Sequence, residues 1–486
     1  MTQLDANHDL DSKDPLRWRI LIVLLATISM SLISVSIVNV ALPSIQESLH
    51  SSQSDLQWVL SGYALTFGVT LVAAGRAGDI FGRGGLFIFG VFLFAVSSVV
   101  AGFAPSANWL NGARFVQGIG SGILSPQGLG MIQQYFRGAE RGRAFGYFGS
   151  MVGVSVAIGP VLGGVLIQLG GMEMGWRYAF LINVPMSVLI MLLAYRWFPR
   201  PLVCFNVVGH GMSKWIRAIT SLDPVGSILL GLAVLLGLLP FVETHVGHWI
   251  WSLLPLSLLL TYLWVKWERY YAKSGRAPMV DLDIFSTPSF ANGSVIVTLY
   301  FLGMTSIWVI VALYMQEAVG KSAFEAGLVG IPASLLSAYA ANWAGKRVHR
   351  LGRKIVIGGI WLAIFGMLLS IAVVYWQSQG YISVWWLVLS LAFVGVAQGT
   401  VISPNQTLTL EDVPLQYAGS SGAIMQTGQR IGTSIGIAVI TAVVFGTLHH
   451  ASWAVAACAG FGVIAAVMAI SLIFAYRDLH HRKRVS

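Results

Sequence analysis

From end to end this sequence returns to runs of about 20 apolar residues, each long enough to cross a ~30 Å hydrocarbon core as a helix. Inside hydrocarbon every backbone N–H and C=O must find its partner within the protein, which leaves helices and closed barrels as spanning structures. Runs of this length select helices. Composition removes the alternative of a soluble globule. Hydrophobic residues make up 56% of the chain and charged residues 10%, against about 25% charged in a typical soluble domain. About fourteen spanning helices fit the pattern, the first over 19–42 and the last over 452–476. The expected fold class is all-α and integral to a membrane.

An even number of crossings puts both termini on one side, and arginine and lysine choose the side. If that side is the cytoplasm, about 25 of the 29 basic residues fall on it, including Arg17, Arg19, Arg141, Arg143 and the tail Arg482-Lys483-Arg484. The formal charge of +10 is then a topological signal, and no nucleic-acid partner is expected. Cys204 and Cys458 are too few and too far apart for a disulfide or metal framework. The first 15 residues are polar and acidic and lack the order of a signal peptide, so the first helix is expected to stay in the mature chain. Neither a Walker loop nor Cys/His metal spacing occurs, so an ATP-driven or catalytic role is not expected.

Two polar loops in this apolar chain resemble each other. GRAGDIFGRGG, Gly75 to Gly85, lies between the second and third expected helices. GKRVHRLGRK, Gly345 to Lys354, lies between the tenth and eleventh. Two six-helix repeats would place the copies closer together, so helices seven and eight are read as an insertion between two halves. Parallel halves around a substrate path are the usual outcome of such duplication. The expected organisation is a tail over 1–18, a first bundle over 19–198, a linker with the two extra helices over 199–288, a second bundle over 289–476, and a basic tail over 477–486. Within the linker, Arg200 to Leu222 is expected to lie along the cytoplasmic surface.

The first loop resembles the one between helices two and three of the major facilitator superfamily, G-x-L-a-D-r-x-G-r-k. Gly75, Asp79, Gly82 and Arg83 match, whereas Ala77, Ile80 and Gly84 depart. The end of helix one, SVSIVNVALP (Ser34 to Pro43), narrows the resemblance to the fourteen-helix drug:proton antiporter family, L-D-x-T-I-V-N-V-A-L-P. There Asn39 to Pro43 match, but the family acid falls on Ser34 and its threonine on Ser36. RFVQGIGSG (Arg114 to Gly122) resembles the superfamily's R-x-x-Q-G-x-G, and GPVLGG (Gly159 to Gly164) looks like the motif that marks its exporters. GWRYAFLINVP (Gly175 to Pro185), YMQEAVG (Tyr314 to Gly320) and QTGQRIGTSIG (Gln426 to Gly436) are similar to this family too. The resemblance implies two six-helix bundles plus two extra helices around a central cavity. It also implies a monomer in the lipid of a bacterial inner membrane, exporting a small molecule against a proton gradient with no resident cofactor.

Residue roles follow. Asp79 and Arg83 are expected to lock the two halves on the cytoplasmic side. Arg114 and Gln117 share a face of helix four, and an arginine at that depth must face protein or water. It is either a coupling residue or a structural one bonded to neighbouring carbonyls. Gly159, Gly163 and Gly164 allow another helix close, and Pro160 bends the axis. Ser34 cannot titrate, so proton carriage falls to Glu317, with Asp55 beside it, near the outer ends of helices nine and two. Arg430 lies about 18 Å into helix thirteen, by helix rise, with Gln426 one turn earlier. It is either a structural arginine or the partner of a neutral, zwitterionic or anionic substrate. Ser34, Asn39, Tyr300, Met304, Trp308 and Met425 complete the expected cavity wall. The function expected is amphipathic drug or metabolite efflux by alternating access with proton antiport. The alternatives are an uncoupled facilitator or an exporter of lipid-like or anionic metabolites, and a non-transporting sensor of the same fold.

Overall fold

The computed structural model of the chain describes residues 15–203, 222–242, 247–276 and 278–485. Among them every regular element is a helix. Twelve helices are long and apolar enough to cross a membrane: α1 (Leu16–Leu49), α2 (Asp55–Phe81), α3 (Arg83–Gly102), α5 (Gly138–Gly171), α6 (Glu173–Trp197), α7 (Pro224–Phe241), α8 (Trp249–Lys273), α9 (Pro288–Ala318), α11 (Arg353–Ser378), α12 (Val384–Thr409), α13 (Leu415–Leu448) and α14 (Trp453–Arg482). Two more of spanning length, α4 (Ala107–Tyr135) and α10 (Gly330–Leu351), are richer in glycine, amides and hydroxyls. Neighbours bury most of α4, whereas α10 turns its small and hydroxyl residues inward and keeps Leu335 and Tyr339 outward. Arg17 at the start of α1 pairs with Glu140, Arg141 beside it reaches Leu410 O, and Arg482 of α14 pairs with Glu411, so the start of α1 and the end of α14 share one end of the bundle, called here the terminal side. The expected surface stretch Arg200 to Leu222 falls largely outside the described residues.

Helix ends follow local chemistry. Ser52 caps α2 and Asp55 returns the bond to the Ser52 N–H, a reciprocal capping box that contributes about 1 kcal/mol. Gly171 adopts φ 64, which only glycine takes without strain, and this separates α5 from α6. The two loop copies share one backbone device. Gly82 (φ 94) closes α2 and opens α3, as Gly352 (φ 54) closes α10 and opens α11.

Helices α1 to α6 pack on one another, α9 to α14 do likewise, and the pairings correspond. α1 lies on α5 as α9 lies on α13, α2 on α4 as α10 on α12, and α3 on α6 as α11 on α14. Between the halves, α5 packs on α10 and α12, and α13 packs on α2 and α4. The inserted α7 rests against α2 and α13, with α8 outside it. α14 does not end before the basic tail. The helix continues to Val485, so the residues expected as a tail carry structure.

Close approach between the halves rests on glycine. A Cβ added to Gly75 of α2 would meet Gly419 O at 2.7 Å, and one added to Gly419 would meet Gly75 O at 2.6 Å. In the second copy, Gly345 of α10 faces Gly142 and Gly146 of α5, with the Gly146 Cα at 2.5 Å from the added atom. Without a hydrophobic force between helices in lipid, such backbone contact is what holds them.

A candidate substrate site between the bundles

The lock on the terminal side is built around Asp79, whose side chain is 3% exposed. Its carboxylate accepts from Arg83 Nη2 (2.8 Å) on its own loop. Across the bundle boundary it accepts from the Gly419 N–H (3.0 Å) and the Ser420 N–H (3.1 Å). The first turn of α13 thus places its unsatisfied N–H groups and positive dipole end on a buried anion. Arg83 also donates to Gln134 Oε1 (2.6 Å) on α4 and to Leu415 O (3.1 Å) at the start of α13. Gln133 of α4 reaches Leu410 O and Val413 O, and Arg141 of α5 reaches Leu410 O. The α12–α13 connection is therefore gripped from α2, α4 and α5.

Above this lock the contacts between bundles change character. Ser125 Oγ of α4 donates to Gln426 Oε1 of α13 at 2.9 Å, and Met425 is fully buried beside it. One turn further along, the Arg430 guanidinium lies 4.3 Å from the centroid of the Phe67 ring on α2. The Phe67 and Tyr63 rings are 6.1 Å apart, and Arg114 of α4 lies 4.3 Å from the Tyr63 centroid. Tyr63 donates to Ser121 Oγ (2.8 Å) and meets Ser31 Oγ of α1 (3.1 Å). The two deep arginines thus meet opposite ends of one aromatic pair. Cations over ring faces in a desolvated setting are held by the ring quadrupole.

The sequence directs Arg430 towards this place. Gly428, Gly432 and Gly436 form a stripe on α13 that seats Thr298 and Leu302 of α9 against its backbone. Arg430, two residues from Gly428, projects from the opposite face. Arg114 is 1% exposed. It donates to Val59 O (2.8 Å) and Gln117 Oε1 (2.6 Å), and Gln117 passes the chain on to Ser98 (2.8 Å). Arg114 is satisfied by carbonyl, amide and ring, whereas the Arg430 guanidinium rests on the Phe67 ring.

Several expected residues lie elsewhere. Ser34 is 1% exposed and accepts from Asn183 Nδ2 of α6 (3.1 Å), so it faces away from the boundary. Tyr300 and Met304 are buried in the core of the second bundle with Ile296 and Ile307. Trp308 covers Gly330 at the start of α10. These are corrections to the expected wall: helix nine turns its ring and thioether inward because α13 and α14 pack on it. Asn39 is exposed on the face of α1 that carries Ser31. Gly159 and Gly163 hold α1 close at Ser36 and Ile37, whereas Gly164 has open space and Pro160 is exposed.

The expected proton carriers are also apart from the centre. Asp55 is occupied in the α2 cap, with Ser52 N and Oγ donating to it at 2.9 and 2.7 Å. Glu317 is exposed in a π turn at the end of α9. Nearby Glu325 pairs with Lys321 at 3.0 Å, and the Ser322 N–H and the Lys321 amine hold its carboxyl below the ordinary value.

Sequence reasoning missed Tyr63 and Phe67, which read as ordinary apolar positions. The available signal was their four-residue spacing beside Thr66 and Thr70 on one face of α2. It also missed Glu268 and Asp478, 1% and 0% exposed, because both were placed beyond their helices.

The sequence model described as Major Facilitator Superfamily matches residues 24–437, and matches again over 293–486. The "Probable actinorhodin transporter" of Streptomyces coelicolor is 31% identical over 436 residues, 89% of this chain and 73% of that one. The "Tetracenomycin C resistance and export protein" of Streptomyces glaucescens is 28% identical over 432 residues, 87% of this chain and 75% of that one. Among solved structures, the human organic anion transporter MFSD10 superposes with a TM-score of 0.68 at 14% identity, covering 95% of this chain and all of that one, a likeness of fold. On the matched family, the paired six-helix bundles and the loop between α2 and α3, this chain belongs to the Major Facilitator Superfamily and is a multi-pass membrane transporter.

Proposed function

We propose that the chain exports amphipathic small molecules carrying aromatic and neutral, zwitterionic or anionic character, by alternating access in exchange for protons. The observation that carries this reading is the cluster where the two bundles meet: Arg430 over Phe67, Gln426 bonded to Ser125, and Tyr63 beside Phe67. A ring face, a cation and amide groups in one place suit a flat molecule with oxygen functions. Relatives named for actinorhodin transport and for tetracenomycin C resistance and export support the direction and the class. The termini lie in the cytoplasm of a bacterial-type cell on the arginine and lysine bias, so the closed lock faces inward and cargo leaves outward. The chain works as a monomer in lipid, and the proton gradient takes the place of a cofactor.

A second reading drops the coupling. Ser34 replaces the family acid and is engaged by Asn183, and Arg430 has no carboxylate paired with it among the described residues. Purified protein in liposomes with an imposed pH gradient and an internal pH dye separates the two readings. Proton movement that depends on an added anionic or neutral aromatic compound supports antiport. Flux of the compound without proton movement makes the chain a facilitator. No flux of any compound in the panel would overturn both.

A further inference from the structure

Two carboxyls that the transport path does not use are buried together at the foot of the inserted helices. Asp223 precedes α7 and is fully buried, and Glu268 lies near the end of α8 with 1% exposure. Asp223 takes φ 46, a left-handed conformation that aspartate tolerates better than most residues. Its Oδ1 accepts from the Gly226 N–H (3.0 Å), and both oxygens accept from Trp267 Nε1 (2.9 and 3.1 Å). Capping of α7 and the indole therefore account for Asp223 as a carboxylate.

Capping does not account for Glu268. Its Oε2 accepts from the Met279 N–H (3.1 Å), but its Oε1 is buried with no hydrogen-bond partner. That oxygen and Asp223 Oδ2, which also accepts from Trp267, converge on Gly226. A Cβ added there would meet Asp223 Oδ2 and, at 2.9 Å, Glu268 Oε1. Glycine is the residue that leaves room for both. Among the described residues neither carboxyl makes an ion pair, and the charge that acts on Glu268 is Asp223 itself. The Trp264 indole N–H on its own helix and the Met279 and Val280 N–H groups of the following segment are directed at the Glu268 carboxyl, with only Met279 within bonding distance of Oε2 and none within bonding distance of Oε1. On α2 and α13, which pack on α7, the charged and titratable groups at this end are Arg76, Asp79 and Tyr417; Asp79 is bonded to the first turn of α13, and Arg76 faces Tyr417. Two buried like charges with no cation paired to them among the described residues repel each other, and one is relieved by taking up a proton.

We propose that Asp223 and Glu268 share one proton, held on Glu268 Oε1 and donated to Asp223 Oδ2, so that the base of the α7–α8 pair is a proton-binding site. The proton satisfies the orphaned oxygen and removes one of the two charges. It also ties together three pieces of chain: the start of α7, the end of α8, and the Met279–Val280 segment that leads into α9. The next residue, Asp281, faces Tyr417, and Tyr417 immediately precedes the α13 turn that Asp79 holds. Release of the proton to water on the terminal side leaves two facing carboxylates and loosens this corner next to the lock. Both carboxyls lie at the terminal-side ends of α7 and α8, which makes the pair a sensor of pH there rather than the carrier of the transported proton.

Infrared difference titration of the full-length protein in liposomes tests the site without any transport substrate, and so independently of the proposed export. The expected result is a protonated-carboxyl band that disappears as pH is raised, shifts with isotope-labelled glutamate but not with labelled aspartate, and is lost in Glu268→Gln. The labelling arm uses the unaltered chain, so it stands even if a variant misfolds. Absence of the band, a shift with aspartate label only, or survival of the band in Glu268→Gln would overturn the assignment. Disappearance of the band on adding sodium at constant pH would also overturn it, by making the pair a metal-cation site.

Discussion

The Arg430 guanidinium of α13 sits 4.3 Å above the Phe67 ring of α2, so a cation from one half of the molecule rests on an aromatic face from the other. Any cargo that passes between the halves must separate these two groups or lie between them. Replacing Phe67 with Leu keeps the apolar volume and removes the ring. Aromatic pairs contribute about 0.5–1.5 kcal/mol beyond burial, so apparent affinity for aromatic cargo is expected to fall about threefold to tenfold. Arg430→Ala should cost anionic cargo more than neutral cargo. Concentration dependence of uptake into inverted vesicles measures both. Unchanged transport of every compound in Arg430→Ala would remove Arg430 from the substrate path.

The glycine contacts make a sharper geometric prediction. Gly419→Ala would drive a methyl to 2.6 Å from Gly75 O, and Gly345→Ala would bring one to 2.5 Å from the Gly146 Cα. The opposing atoms are backbone and cannot rotate away. Overpacking of this kind costs about 1–3 kcal/mol, borne by the closed state of the terminal side. Gly128→Ala and Gly358→Ala meet no atom within 4 Å. Transport rates are expected to fall in the first pair and to hold in the second. Equal effects in all four would mean that the contact does not govern closure.

These contacts also mark the line between what the sequence discloses and what it conceals. Gly75 and Gly345 head the two loop copies, and the duplication is visible in the sequence because both must be glycine for the same reason. Most partners of the copies are not visible, since they lie on other helices, from 51 to 332 residues away. Arg83 turns to Asp79, Gln134 and Leu415 O, whereas its counterpart Arg353 turns to Asp478 and Asn405. The position equivalent to Asp79 is His349, so one half has lost the carboxylate and recruited another from α14. Hydropathy located the helices but not their faces. Ser34 is drawn to the cavity by its place in the helix-one motif and Tyr300 and Met304 by their place on helix nine, but rotation about the helix axis puts all three in packed interiors. Tyr63 and Phe67 read as ordinary apolar positions, and only their four-residue spacing beside Thr66 and Thr70 hints at a shared polar face.

Asp79 holds the α13 turn through charge. In Asp79→Asn the side chain keeps its shape, but one oxygen becomes an NH2 that cannot accept from a backbone N–H. Hydrogen bonds to a charged group contribute about 1.5–3 kcal/mol, so the closed terminal side should become at least about tenfold less favoured. The fully buried Ser421, on the same turn, reports this opening. In a cysteine-free background, Ser421→Cys should react faster with a membrane-impermeant maleimide once Asp79→Asn is added. Equal labelling rates with and without Asp79→Asn would show that the lock is carried by the backbone contacts alone.

The second half keeps its own buried pair. Arg353 Nε and Asp478 Oδ2 are 2.6 Å apart, with side chains 0% and 1% exposed. Arg353 also bonds Asn405, whose Nδ2 donates to Gly293 O (2.9 Å) on α9. Arg482 adds a bond to Asp478 at 3.1 Å and one to Glu411 at 3.0 Å, from a side chain 27% exposed. α11, α12, α14 and the start of α9 therefore converge on one carboxylate. Removing a single partner from a buried pair costs about 3–5 kcal/mol, because the other charge is left without compensation. Asp478→Ala should thus lower the thermal unfolding temperature of the purified protein far more than Arg482→Ala, whose guanidinium remains partly in water. Truncation before Asp478 should act like Asp478→Ala, because the residues at the end of α14 are structural. If truncation left the unfolding temperature unchanged, the last turns of α14 would be an ornament of the fold and the Arg353 charge would be compensated elsewhere.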